Sequence, residues 1–237
     1  MTIYAFDFDG VVCDSSNETA YSGVKAIAEL SGNFIEPTKK LLADFRVVRP
    51  CLHTGWESIF IVAMLAKGID AVEITKDYDH FLEAWLNEHE YSSDYLKSVY
   101  GNVRDQWIQG DLKSWLAVHD FYPHAINFIK DLQEPFYIIT TKGHRFAVAL
   151  ANAAGINIPD DNIFGLESGP KEQTLKDLRI KFPDQSISFY EDRLPTLLKV
   201  AKENINCLNL ILVDWGYLKD GDLELAAANG IETISSF

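Results

Sequence analysis

A chain of 237 residues that is 47% hydrophobic and 12% aromatic holds enough apolar material for one large core or two modest ones, which excludes a disordered polypeptide. Its formal net charge of −14 comes from acids spread along its length, and no Lys/Arg-rich cluster offers an electrostatic footing for nucleic acid. A small anionic substrate is still compatible with this charge, because a bound divalent cation and a few local cations invert the potential inside a cleft.

The opening run MTIYAFDFDG lacks a basic segment and places two carboxylates where a signal peptide needs apolar residues. No later stretch is long and apolar enough to span a bilayer, so a cytoplasmic protein without membrane contact is expected. Cys13, Cys51 and Cys207 are far apart and show no CxxC or Cys/His spacing, which reads as reduced, unpaired thiols. Within the opening run, Ile3 to Phe8 is short and apolar and is expected to form a buried strand.

From Asp14 to about Asp120, helix-like segments follow one another with no strand signal. Ser15 with Glu18, and Thr54 with Glu57, have the S/T-x-x-E spacing of a capping box, and Gly32 and Gly68 are expected stops. Between Ser92 and Val118, the residues Tyr95, Val99, Val103, Trp107, Leu112, Trp115 and Leu116 fall near helical spacing, with Gly101 and Gly110 as points of interruption.

After Phe121 the pattern alternates. Phe136 to Thr140, Ser186 to Tyr190, Leu208 to Val213 and Ile231 to Ile234 read as buried strands. Helix-like stretches lie near 122–133, 143–154, 171–181, 194–204 and 222–229, with Gly155 and Gly230 at expected helix ends. Such alternation implies an α/β fold with a parallel sheet covered by helices, and the first strand should pair into it. The expected organisation is a discontinuous α/β domain, 1–13 and 121–237, carrying an inserted helical domain at 14–120.

Asp7 and Asp9 stand two residues apart at the end of the first strand, where strand periodicity points both side chains the same way. Gly10 frees the backbone to turn, and the carboxyl ends of strands are where open α/β sheets bind ligands. The run Asp7-Phe8-Asp9-Gly10-Val11-Val12 resembles the first motif of the haloacid dehalogenase superfamily. Further matches follow in motif order: Thr140-Thr141-Lys142 after a strand, Lys171 opening a helix, and Glu191-Asp192 after another strand. Trp215-Gly216-Tyr217 is similar to a WGY found in phosphoglycolate-phosphatase-like members of that superfamily.

The resemblance implies a Rossmann-like doubly wound parallel sheet core with an α-helical cap domain inserted after the first motif. It implies a magnesium-dependent phosphatase acting on a small phosphorylated metabolite through an aspartyl-phosphate on Asp7. Asp9 would be general acid and base, with its carbonyl on the metal. Thr140, with Thr141 as the adjacent alternative, and Gly10 would hold phosphate oxygens, and Lys171 would steady Asp7 and the phosphoryl group. Asp192 would complete the Mg²⁺ site, while Glu191 would bind metal directly, act through water, or orient a neighbour. Relatives often carry Gly before that Asp and a later acid, where this chain has Glu191 and Thr196.

The hard oxygen donor set suits magnesium, and the six histidines form no HxxxH or HExxH pattern. Asp9 sets the chain apart from the superfamily's dehalogenases, which lack the second Asp. A sugar-phosphate mutase and a non-catalytic phosphometabolite-binding protein are the alternatives. In the insertion, Phe45-Arg46-Val47-Val48-Arg49-Pro50 is the densest mix of cation and aromatic. Arg46 and Arg49 are three apart, hence on one side of a helical turn, either gripping an anionic substrate or paired with Asp44 or Glu57.

Overall fold

The computed structural model describes residues 2–237. In chain order the elements are β1 (Thr2–Phe6), β2 (Cys13–Asp14), α1 (Ser16–Ser31), α2 (Lys39–Val48), α3 (Ser58–Ala66), α4 (Ala71–Lys76), α5 (Tyr78–His89), α6 (Ser93–Leu116), β3 (Asp120–Phe121) and α7 (Pro123–Asp131). There follow β4 (Phe136–Ile139), α8 (His144–Ala153), β5 (Ile163–Phe164), α9 (Lys171–Lys181), β6 (Ser186–Glu191), α10 (Leu194–Ala201), β7 (Leu208–Val213), α11 (Asp222–Ala228) and β8 (Glu232–Ile234). They fall into two compact units, one running to Asp14 and again from Asp120 to Phe237, the other Ser15–His119.

The first unit is built on a six-stranded sheet in the order β5-β4-β1-β6-β7-β8. Every neighbouring pair runs parallel, as the registers Tyr4↔Phe136 and Ala5↔Phe189 illustrate for the two partners of β1. The chain adds β4 and β5 on one side of β1 and then β6, β7 and β8 on the other, so the order reverses beside β1. A crevice opens at such a reversal, outside the carboxyl ends of the strands.

Strand alternation in β1 sends Ile3 and Ala5 to one face, where they pack with Tyr137, Ile139, Phe189 and Leu212. Tyr4 and Phe6 go to the other face, which is aromatic: Phe6 stacks on Tyr190 at 5.0 Å between centroids, and Phe128 stacks on Phe237 at 4.5 Å. The expected strand Ile3 to Phe8 stops at Phe6, although the Asp7 N–H still donates to Tyr190 O at 2.9 Å. The cause lies ahead of it, where Val12 and Cys13 N–H groups both donate back to Phe8 O and curl the chain out of the sheet. The short strands β5, β2 and β3 were not expected, since two residues show no periodicity; β2 and β3 pair antiparallel through Cys13↔Phe121 and Asp14↔Asp120.

The second unit is helical around a core that includes Phe45, Ile59, Phe60, Ile74, Trp85 and Leu96. Helix α6 runs through Gly101 and breaks at Asp111 (φ −155°, ψ 79°), just after Gly110, where the Asp111 carboxylate caps the Ser114 N–H at 3.0 Å. The Thr54–Glu57 capping box forms on a single 3₁₀ turn. The Ser15–Glu18 box does not form as expected, since Ser15 makes no side-chain capping bond. Glu18 is fully buried and accepts Arg104 Nε at 2.8 Å and Nη2 at 2.6 Å, Ser22 Oγ at 2.7 Å and Trp115 Nε1 at 3.2 Å. A paired guanidinium is a stronger partner for a carboxylate than one terminal amide, so the tertiary contact wins over the local one.

No helix among the described residues is long and apolar enough to cross a membrane. Cys13 and Cys51 are buried and Cys207 exposed, and none of the three is in a disulfide.

Candidate active site

Strand geometry delivers the acids. Asp7 follows β1, Glu191 ends β6 and Asp192 follows it; because β1 and β6 pair in register up to Phe6↔Tyr190, these positions meet at one edge of the sheet. Asp7 is 5% exposed, and Glu191 and Asp192 are fully buried. One carboxylate oxygen from each of the three lies within 4.8 Å of the others.

Lys171, the first residue of α9, reaches into this cluster, with Nζ 2.9 Å from Asp7 Oδ1 and 2.7 Å from Glu191 Oε2. The other oxygen of Glu191 accepts the backbone N–H groups of Asp192 and Arg193, both at 3.1 Å. Both oxygens of Glu191 are therefore engaged, one by the lysine and one by the turn. Burial pushes Asp7 up to about 7; Lys171 pulls against that shift, while Glu191 and Asp9 add to it. Burial works against the ammonium of Lys171, yet Asp7 and Glu191 hold its pKa above the usual value. Glu191 is raised by burial in spite of the same lysine.

Asp192 is held from three sides. Its Oδ2 accepts the Tyr217 N–H at 2.7 Å. Gly10, at φ +84°, passes so close that a β-carbon there would meet Asp192 Oδ2 at 2.0 Å, and a β-carbon on Gly216 would meet Asp192 Cβ at 2.3 Å. Gly10 thus serves the approach of backbone to Asp192 as well as the turn.

Thr140 follows β4 and is 3% exposed; its N–H donates to Phe164 O at 2.9 Å and its Oγ1 accepts the Lys142 N–H at 3.2 Å. Thr141 is exposed. Asp9, with a side chain 19% exposed, does not join the carboxylate trio: its Oδ1 lies 3.2 Å from Lys142 Nζ. Asp7 and Asp9 therefore have different lysine neighbours, Lys171 for the first and Lys142 for the second.

Arg46 and Arg49, three apart, differ in exposure. Helix α2 ends at Val48, and a 3₁₀ turn with Pro50 follows, leaving Arg46 exposed and Arg49 only 7% exposed. Lys142, Gly216 and Tyr217 touch the candidate site yet were not singled out as site residues by sequence reasoning. The first stood within the quoted Thr-Thr-Lys run and the others within Trp-Gly-Tyr, so the signal was present.

A haloacid dehalogenase-like family hydrolase from Streptococcus pneumoniae superimposes over 99% of this chain and 93% of its own, with a TM-score of 0.60 at 17% identity. The fold is that of haloacid dehalogenase-like hydrolases. Of the same architecture are a protein described as a predicted phosphatase from Clostridium acetobutylicum (TM-score 0.60, 14% identity, 99% of this chain and 94% of that one) and one described as a predicted phosphoglycolate phosphatase from Haemophilus somnus (0.58, 16%, 91% and 86%). No family model matches the chain, and no curated protein does. In the haloacid dehalogenase-like fold of this chain, the buried acids sit at the carboxyl ends of β1 and β6, beside the sheet's reversal point.

The acidic cluster fits a hard divalent cation. Asp7, Glu191 and Asp192 offer only oxygen, no Cys or His stands among them, and the three carboxylates outnumber the single ammonium of Lys171. Magnesium binds one or two protein carboxylates and keeps several waters, which matches a cluster in which Glu191 is already engaged.

Proposed function

We propose that the protein is a magnesium-dependent phosphatase that hydrolyses a small phosphorylated metabolite through an aspartyl-phosphate on Asp7. The observation that carries this reading is the buried Asp7–Lys171–Glu191 array beside Asp192 at the ends of β1 and β6. It is supported by a fold shared with proteins described as phosphatases.

Asp7 Oδ attacks phosphorus, forming the new P–O bond as the bond to the leaving oxygen breaks, and Asp9 gives that oxygen its proton. Asp9, now a carboxylate, takes a proton from water as the water oxygen attacks phosphorus. The bond to Asp7 breaks, inorganic phosphate leaves, and Asp9 is protonated again. Lys171 neutralises charge on the transferring group and holds Asp7, while Glu191 fixes Lys171. Thr140 supplies a hydroxyl to a phosphate oxygen. Asp7, Asp192 and the Asp9 carbonyl would hold Mg²⁺, which screens the repulsion between a carboxylate nucleophile and an anionic phosphoryl group. We assign Glu191 to orienting Lys171, and Arg46 or Arg49 to the non-reacting end of the substrate.

The test is a panel of phosphorylated metabolites assayed for phosphate release with and without Mg²⁺. Release that depends on Mg²⁺ and is lost in Asp7→Asn supports the reading. A product that retains its phosphate at a new position identifies a mutase, and tight binding without turnover identifies a sensor.

A further inference from the structure

Lysine is seldom buried unless its charge has a partner inside. Lys142 is 5% exposed, with its side chain 2% exposed. Its backbone is pinned on both sides: the N–H donates to Thr140 Oγ1 at 3.2 Å, and the C=O accepts the Leu166 N–H at 2.9 Å. That pinning directs the side chain inward from the end of β4, and its ammonium stands 3.2 Å from Asp9 Oδ1.

The two lysines divide the two aspartates between them. Lys171 holds Asp7 and is itself fixed by Glu191, whereas Lys142 faces Asp9. Asp7 and Asp9 repel, since Asp9 is among the charges that raise Asp7. Asp9 lies past the end of β1, where the chain turns back through the Asp9–Cys13 bridge. General acid–base catalysis requires the carboxyl within hydrogen-bond reach of the proton it transfers, so an Asp9 carboxyl turned away from that proton loses rate even when correctly protonated.

We propose that Lys142 is a positioning residue that holds the Asp9 carboxylate in the orientation from which it exchanges protons with the leaving oxygen and with water. The proposal rests on the phosphatase reading above and adds a residue to it. Lys142 acts through Asp9, and its removal leaves attack by Asp7 intact.

The test compares wild type, Lys142→Met and Lys142→Arg on p-nitrophenyl phosphate and on an alkyl phosphate that the wild type hydrolyses. Nitrophenolate leaves without a proton, so Lys142→Met should release a first equivalent at near wild-type rate and then stall as phosphoenzyme. Its kcat on the alkyl phosphate should fall by about 10²-fold, the scale of a lost general acid, with little change in KM. Lys142→Arg should recover most of that loss. In an Asp9→Asn background, adding Lys142→Met should cost nothing further, since a residue acting through Asp9 has no Asp9 left to act through. Equal losses in the first turnover of both substrates, no loss on either, or an added loss in the Asp9→Asn background would overturn the proposal. A poorly folded Lys142→Met is covered by Lys142→Gln, judged by the same ratio between substrates. Wild type that fails to release nitrophenolate with Mg²⁺ would overturn the phosphatase reading itself, and Lys142 with it.

Discussion

Gly10 and Asp192 are in contact across the first and fourth motifs, so close that a β-carbon on the glycine would sit 2.0 Å from Asp192 Oδ2. The turn after β1 and the acid after β6 are therefore one packed unit. Gly10→Ala must push Asp192 aside and also strain a backbone held at φ +84°. We expect this variant to need about 10–100-fold more Mg²⁺ for half-maximal activity, the cost typical of displacing a ligand's support. Mg²⁺-dependent stabilisation in thermal melts checks the same point without an assay, and an unchanged Mg²⁺ response would show that Asp192 tolerates the displacement.

Asp7→Asn should abolish turnover, since an amide neither attacks phosphorus nor leaves as a carboxylate. Its effect on stability should depend on pH. Asp7 has its folded pKa raised from 3.8 to about 7, so the folded protein binds this proton more tightly than the unfolded chain. The contribution of Asp7 to stability is full below about pH 4 and is lost as pH rises through about 7. Asparagine suffers no such loss. In metal-free buffer, Asp7→Asn should melt higher than wild type by about 3 °C or more at pH 8, with the difference shrinking toward pH 4. A constant difference across that range would contradict the burial of a strained carboxylate.

Asp192→Ala should raise the Mg²⁺ requirement far more than Glu191→Gln does. Glu191 serves Lys171 and the following turn through its two oxygens, so its amide should instead lower kcat by releasing the lysine. Mg²⁺ titrations of both variants decide this, and the reverse order would make Glu191 the principal ligand.

Arg104→Ala should destabilise the helical unit by about 3–5 kcal/mol, because it strands the buried Glu18 carboxylate without its guanidinium. Denaturant unfolding measures the loss. Adding Glu18→Gln to Arg104→Ala should restore part of it, since the uncompensated charge is then gone.

Arg46→Ala and Arg49→Ala separate the exposed guanidinium from the buried one. The arginine that grips the substrate should, when removed, raise KM for the physiological phosphate by about 10-fold or more, the worth of one charge-assisted hydrogen bond, and leave p-nitrophenyl phosphate unaffected. Equal losses on both substrates, or none, would return both residues to structural roles.

Local chemistry in the sequence already determined the parallel α/β sheet, since strand-length apolar runs between amphipathic stretches admit few other folds. The resemblance of its motif order to the haloacid dehalogenase superfamily marked Asp7, Lys171, Glu191 and Asp192 as candidates, each standing where an apolar strand stops or a helix starts. Capping at Thr54 and Glu57 was legible too, both partners being within one turn. What escaped the sequence depended on partners distant in the chain. Glu18 left its local capping role for Arg104, a choice no spacing rule shows. Arg46 is exposed and Arg49 buried, a difference that their spacing does not show. Only the tertiary structure decided that Glu191 holds a lysine, that Lys142 faces Asp9, and that Gly216 and Tyr217 shape the seat of Asp192. Each of these is a contact of a few ångströms between segments at the carboxyl ends of the strands, a helix start and loops among them, and which segments meet there is set by the tertiary fold.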